Sequence, residues 1–345
     1  MVQYLKLKVV PNVSHRCCFV HIGVPRTGST ALEKFFYDRR SALLRHGVLY
    51  PDVSLRGYGH HDVAFLLSGG YPDWAIAQPR PLAELAAELQ RSACDHSGDV
   101  LISSENFYLF PAPSALRELL ESTGLAVGRR TVIVVYLRRQ DDVHESWYNQ
   151  TVKAQGATHG IGESVRRWHD LWDYRARLAE WSSVFGPENI LVRVYGESRF
   201  EGGSLASDFL AATGIRTGDP APTAEQVNGR VNRDVLEFQR LVNRLPLQHV
   251  EKRRFLQQLT ELTARTAGSG LFEEGRLLDE VQRRAILEDY AAGNAEVASR
   301  FLGREELFPL PPPEQATASS GPSGLTVEKM AYILGWLMTT GGRGG

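Results

Sequence analysis

An apolar run, Cys17-Cys18-Phe19-Val20-His21-Ile22, leads directly into Gly23-Val24-Pro25-Arg26-Thr27-Gly28-Ser29-Thr30, and apolar positions at helical spacing follow at Leu32, Phe35, Phe36 and Leu43. A short strand that turns through a glycine loop into a helix constrains the fold more than any other stretch of the chain. The two glycines permit a tight turn whose backbone N–H groups point inward. The helix N-terminus, with Ser29 or Thr30 as its first hydrogen-bonding side chain, adds a favourable partial charge. The spacing G-x-x-x-x-G-S-T is therefore that of a phosphate-holding loop. Ser29 occupies the place where such loops normally carry the lysine that reaches the outer phosphates of a triphosphate. Arg26 is the loop's only cation. The loop suits one 5′-phosphate bearing a further charged group rather than a triphosphate.

Three more strands are expected at 99–104 (DVLISS), 131–137 (TVIVVYL) and 190–195 (ILVRVY), the second continuous enough to be buried on both faces. Helical patterns lie between them, at 82–93 behind Pro81, from Asp141 and Asp142 through Lys153, and at 163–181. Later helices are expected near 231–244, 249–266 and 276–302. Alternating strands and helices imply the α/β class: a parallel β-sheet flanked by helices in three layers, with a helical C-terminal cap. Residues 1–308 are expected to form the catalytic domain, with a helical subregion at about 203–302. A Pro/Ser-rich linker at 309–324 and a tail at 325–345 with a possible short helix complete the chain. With 43% hydrophobic residues the chain can bury a large core. A net charge of −1 removes any global case for nucleic acid, so anion binding has to be local. Three cysteines, two of them adjacent, argue for a reducing compartment, and the N-terminus lacks the pattern of a secretory signal. Met330–Met338 is too short to span a bilayer, and the cytoplasm is the expected location.

The strand at 131–137 ends in Arg138 and Arg139, where a triphosphatase would offer an acidic residue to magnesium. Eight residues beyond Arg138 lies Ser146, on the helix that Asp141 opens. A forked guanidinium and a hydroxyl converging at the carboxyl end of a parallel sheet can grip one phosphate. GVPRTGSTAL resembles the 5′-phosphosulfate loop of sulfotransferases that use PAPS (3′-phosphoadenosine 5′-phosphosulfate). VYLRRQDDVHESWYNQ resembles their 3′-phosphate motif. The resemblance covers residues 17 to about 200 and is closest to the carbohydrate, heparan-type and bacterial branches. It implies a P-loop NTPase-like sandwich and a PAPS donor, PAP (3′-phosphoadenosine 5′-phosphate) as product, and no metal. Arg26, Thr27, Gly28, Ser29 and Thr30 fall on its 5′ site, and Arg138 and Ser146 on its 3′ site. Many family members have lysine where Arg26 stands. Arginine can offset charge on the departing oxygen but is a poor proton donor.

On the acceptor side, Glu105 follows the strand 99–104 and resembles the catalytic glutamate of the heparan-type branch. His60 and His61 are the alternative bases, His61 being the catalytic candidate of the two, because steroid- and phenol-type members use histidine. Arg230, or Arg233 beside it, falls where family members close the nucleotide site with a basic loop. Lys153 reads as a solvated helix-end lysine able to meet an anionic acceptor. Trp168, Leu171, Trp172 and Leu178 recur at helical spacing and are expected in the core. The expected acceptor is a hydroxyl or amine of a carbohydrate or small molecule. The alternatives are a phosphotransferase with a degenerate loop, or a non-catalytic nucleotide-binding protein.

Overall fold

The structure is a computed structural model that describes residues 16–78, 80–196, 200–218, 231–246, 249–308 and 324–341. The described residues gather into two compact units. One is drawn from Met1–Arg138, Asp173–Glu225 and Ala292–Phe308, the other from Arg139–Trp172, Gln226–Ala291 and Pro309–Gly345.

Among the described residues, five strands of the first unit form one parallel sheet: β1 (Cys17–His21), β2 (Val48–Leu49), β3 (Asp99–Ser103), β4 (Arg130–Leu137) and β5 (Ile190–Val194). Their spatial order is β2-β3-β1-β4-β5. The helices in chain order begin with α1 (Ser29–Asp38), α2 (Arg40–Arg45), α3 (His61–Leu67), α4 (Leu82–Ala93), α5 (Asn106–Leu109) and α6 (Pro113–Ser122). Next come α7 (Gln140–Ala154), α8 (Ile161–Arg167), α9 (Tyr174–Phe185), α10 (Leu205–Thr213) and α11 (Arg233–Val242). The last are α12 (His249–Thr266), α13 (Glu280–Asp289), α14 (Ala291–Val297) and α15 (Val327–Gly341).

Strand alternation divides the sheet residues between two faces. Phe19, Leu101, Val134 and Tyr136 share one face with Leu32, Phe35 and Phe36 of α1 and Phe209 of α10. Val20, Ile133 and Val135 are fully buried on the other, where α9 packs on β4 and β5 and α6 packs on α9. The α/β architecture expected from the sequence, a parallel sheet flanked by helices with a helical C-terminal region, is the one observed. β1 lies between β3 and β4, so the chain order reverses beside its carboxyl end. That switch point is where open α/β sheets bind ligands, and the glycine loop starts there.

Two helix readings need correction. The segment 163–181 is not continuous: α8 stops at Arg167, Asp170–Trp172 is a single 3₁₀ turn, and α9 restarts at Tyr174. Asp173 imposes the restart, its Oδ1 accepting the Ala176 N–H at 3.0 Å as an N-cap. Likewise 276–302 divides into α13, α14 and a π turn at Ala298–Leu302 that Gly303 ends in the left-handed region. Replacing Asp173 by Ala is expected to cost about 1 kcal/mol of stability, measured as a lower urea midpoint with unchanged slope.

The second unit is helical. Tyr148 and Val152 of α7, Val235 and Leu236 of α11, and Leu259 and Leu262 of α12 share a core. Ile333 and Leu337 of α15 are buried in that core, and α15 packs on α11 and α12. No helix among the described residues is long and apolar enough to cross a membrane.

Candidate active site

The loop between β1 and α1 is held in shape by its own bonds. Thr27 donates its backbone N–H and its hydroxyl to the Val24 carbonyl, at 3.3 and 2.6 Å. Gly28, at φ 76°, caps α1 in the left-handed region, which glycine enters without strain. Arg26 takes φ 68°, a conformation uncommon for a side-chain-bearing residue and often retained at functional turns. At Gly23 a Cβ would stand 3.2 Å from the Glu105 Cα, so the loop and the end of β3 meet in a tight approach that a side chain would crowd. Arg138, at the end of β4, donates Nη1–H to the Arg26 carbonyl at 2.7 Å. Its own carbonyl accepts from the Tyr174 hydroxyl at 2.6 Å, and its guanidinium lies 5.4 Å from the Tyr195 ring centre. Arg26, Thr27, Gly28, Ser29, Thr30 and Arg138 thus form one constellation at the switch point. Ser29 is buried and Thr30 exposed.

Glu105 joins this constellation: the Ser29 hydroxyl donates to its Oε2 at 2.6 Å. One helical turn beyond Ser29, Glu33 accepts the Glu105 backbone N–H on Oε1 at 3.2 Å. Its Oε2 lies 3.4 Å from His61 Nε2. On the other side of the ring, His61 Nδ1 meets the Ser104 hydroxyl at 2.7 Å and the Asn106 side-chain amide at 2.9 Å. Burial pushes the Glu33 carboxyl above the usual range, against the opposing influence of its bond to His61. Burial alone would depress His61, but the Glu33 carboxylate overrides it and the imidazole is shifted up.

The two adjacent histidines separate cleanly. His60 is held inside the fold: its ring is buried, with Nδ1 accepting the Ser103 N–H at 3.2 Å and Nε2 donating to the Pro51 carbonyl at 3.0 Å. Burial lowers its pKa to about 4. It fastens the segment before α3 to the end of β3, which brings His61 to Ser104 and Asn106. The two arginines after β4 also part company. Arg139 grips Asp141 within the second unit, at 2.7 and 2.9 Å, a pairing that fixes the first turn of α7.

Ser146 is buried on α7 in the second unit, and Lys153 lies in the last turn of the same helix. Arg230 falls outside the described residues. Arg233 opens α11, is almost wholly buried and pairs with Glu273 at 3.3 Å. With Glu145, Asn149, Thr263 and Arg276 it lines a cavity of about 420 Å³ in the second unit. Trp172 and Leu178 are fully buried, and Trp147 meets both Trp168 and Trp172 edge-on at 5.8 Å.

Sequence reasoning did not single out Glu33 or the aromatic surface beside the site. α3 starts at His61 and carries Phe65 one turn on, while α5 starts at Asn106 and is followed by Phe110. Trp74, 47% exposed, stands edge-on to Phe65 at 5.6 Å and tilted toward Phe110 at 6.4 Å. A lone tryptophan in YPDWAIAQ gives no periodic signal. Its position depends on long-range contacts.

No family model matches this chain. An uncharacterized protein of Archaeoglobus fulgidus is 27% identical over 217 residues, 61% of this chain. The match covers 56% of that relative's length. The crystal structure of a sulfotransferase from Alicyclobacillus acidocaldarius is similar with a TM-score of 0.40 and 18% identity, over 69% of this chain and 99% of that one.

Proposed function

We propose that this chain is a PAPS-dependent sulfotransferase acting on a hydroxyl or amine of a carbohydrate-like acceptor. The observation that carries the reading is the 2.7 Å bond from Arg138 to the Arg26 carbonyl. It joins the guanidinium proposed for the 3′-phosphate to the loop proposed for the 5′-phosphosulfate, at the sheet's switch point. The loop amides and Arg26 hold the phosphosulfate. Arg138 holds the 3′-phosphate, a role the motif resemblance also gives to Ser146. The acceptor's lone pair forms the new bond to sulfur while the bond from sulfur to the bridging oxygen breaks. That electron pair leaves with the 5′-phosphate, where Arg26 offsets its charge. Glu105 takes the acceptor's proton. The carbohydrate class is supported by the half-exposed Trp74 and the neighbouring Phe110, since aromatic faces are apolar surfaces on which the C–H groups of a sugar can lie.

One observation favours a second reading, a magnesium-dependent phosphotransferase: Glu105 lies just past the end of the strand beside β1 and bonds Ser29, where a phosphate-loop enzyme could keep an acidic metal ligand. Thermal unfolding with PAP alone, and with ATP plus magnesium, separates the two. PAP at a hundred times its Kd is expected to add about 2.7 kcal/mol of stability. Arg138→Ala is expected to weaken PAP by roughly 10- to 100-fold, the worth of a charged hydrogen bond. Stabilisation by magnesium-ATP and none by PAP would replace this function with the second.

A further inference from the structure

Ser29 and Glu33 are four residues apart, so their side chains stack on one face of α1. The first touches the Glu105 carboxylate, and the second touches the Glu105 backbone and His61. Glu33 is 1% exposed, which makes it a charge-bearing group at the floor of the site. Such a group is costly to bury unless each of its oxygens has a partner. Each one does: Oε1 accepts the Glu105 N–H, and Oε2 faces His61 Nε2. The chain makes room for it at Gly59, where a Cβ would fall 2.7 Å from the Glu33 carboxyl carbon.

We infer that Glu33 is a positioning residue: its one buried carboxylate ties the Glu105 backbone and the His61 ring to α1, so that the Glu105 carboxylate stays against Ser29 at the mouth of the loop. The role attaches to the sulfuryl-transfer reading, because it serves the base proposed there. Glu33 does not touch the nucleotide or the acceptor. It acts through Glu105 and His61. The Asn106 amide donates to His61 Nδ1, which leaves Nε2–H directed at Glu33 and fixes the imidazole tautomer. The titratable groups whose charge bears on this pair are Glu105 and Tyr50 around Glu33, and Glu105, Asp62 and His60 around His61.

The test compares the whole protein with Glu33→Gln and Gly59→Ala. The first substitution keeps an oxygen for the Glu105 N–H but removes the charge beside His61. The second leaves the charge and displaces the carboxylate, because the added methyl group takes its place. The His61 ring proton is followed by NMR through a pH titration, and PAP affinity by calorimetry. In the wild-type protein the His61 midpoint is expected above 6.5. In both variants it is expected to fall by about one pH unit or more, while PAP Kd changes less than about threefold. With a sulfated acceptor in hand, kcat falls and KM for the donor does not. An unmoved His61 midpoint in two folded variants overturns the inference, whatever PAP does. Absence of PAP binding to the wild-type protein instead removes the sulfotransferase reading and with it the base that Glu33 is held to serve. The two failures are therefore told apart.

Discussion

Glu105→Gln is expected to lower sulfuryl transfer by about 10²–10⁴-fold at saturating donor and acceptor, with PAP affinity changed less than about threefold. The substitution keeps the shape of the side chain and an oxygen that can still accept the Ser29 hydroxyl, now 2.6 Å from Oε2. What it removes is the ability to take a proton. The loss lies in kcat because the interaction is made only as the acceptor's proton departs, and it corresponds to roughly 3–5 kcal/mol of barrier. The control is internal: the same protein sample binds PAP and shows the same thermal unfolding. Unchanged turnover in a variant that still binds PAP would move the base elsewhere, His61 being the next candidate within reach of Glu33 and Asn106. Tight PAP binding without sulfation of any acceptor class would instead favour a nucleotide-binding scaffold.

The sequence displayed the site's framework through local signals. Gly23 and Gly28 mark the loop by spacing, and the apolar runs at 17–22 and 131–137 mark strands by composition. Arg138 stands out because it directly follows the second of those strands, and Glu105 because it follows the strand at 99–104. What was hidden depends on tertiary placement. β2 is two residues long and carries no alternation of its own. The break between α8 and α9 hangs on one side chain, Asp173, whose capping bond competes with an otherwise helical pattern. His60 and His61 are the same residue type at consecutive positions. They differ only because one ring is clamped between Ser103 and Pro51 and the other faces a carboxylate. Glu33 reads on the helix as one more polar position, and only the approach of β3 and Gly59 makes it a buried group.

The second large effect is on stability in acid. Burial lowers His21 to about 3 and His60 to about 4, against 6.5 when exposed. Both rings are therefore neutral in the folded protein where the unfolded chain binds a proton. Their contribution is fully present above pH 6.5 and is lost as pH falls toward 4 and then 3. The gap for His60 is worth roughly 3 kcal/mol, and that for His21 somewhat more. Each should remove about 1.4 kcal/mol per pH unit near pH 5. His61 works in the opposite sense: its raised pKa contributes stability below pH 6.5 that is lost as pH rises past its folded value. It offsets only part of the acid loss, because His144, lowered by burial to about 3, acts in the same sense as His21 and His60. Against a total stability of about 5–15 kcal/mol, a large loss of stability by pH 4 is expected. Urea midpoints at pH 7, 6 and 5 measure the slope. His60→Asn should flatten it by one proton even if the variant starts less stable, so the change in slope, not the starting value, decides the matter. A slope unchanged by His60→Asn would mean that the ring is not the buried neutral group described. The acid effect also bears on the site. A proton on His60 Nδ1 turns the acceptor of the Ser103 N–H into a second donor pointed at it. The end of β3 should then loosen first, taking Ser104 and Glu105 with it, so nucleotide-dependent turnover should fail at a higher pH than the fold does.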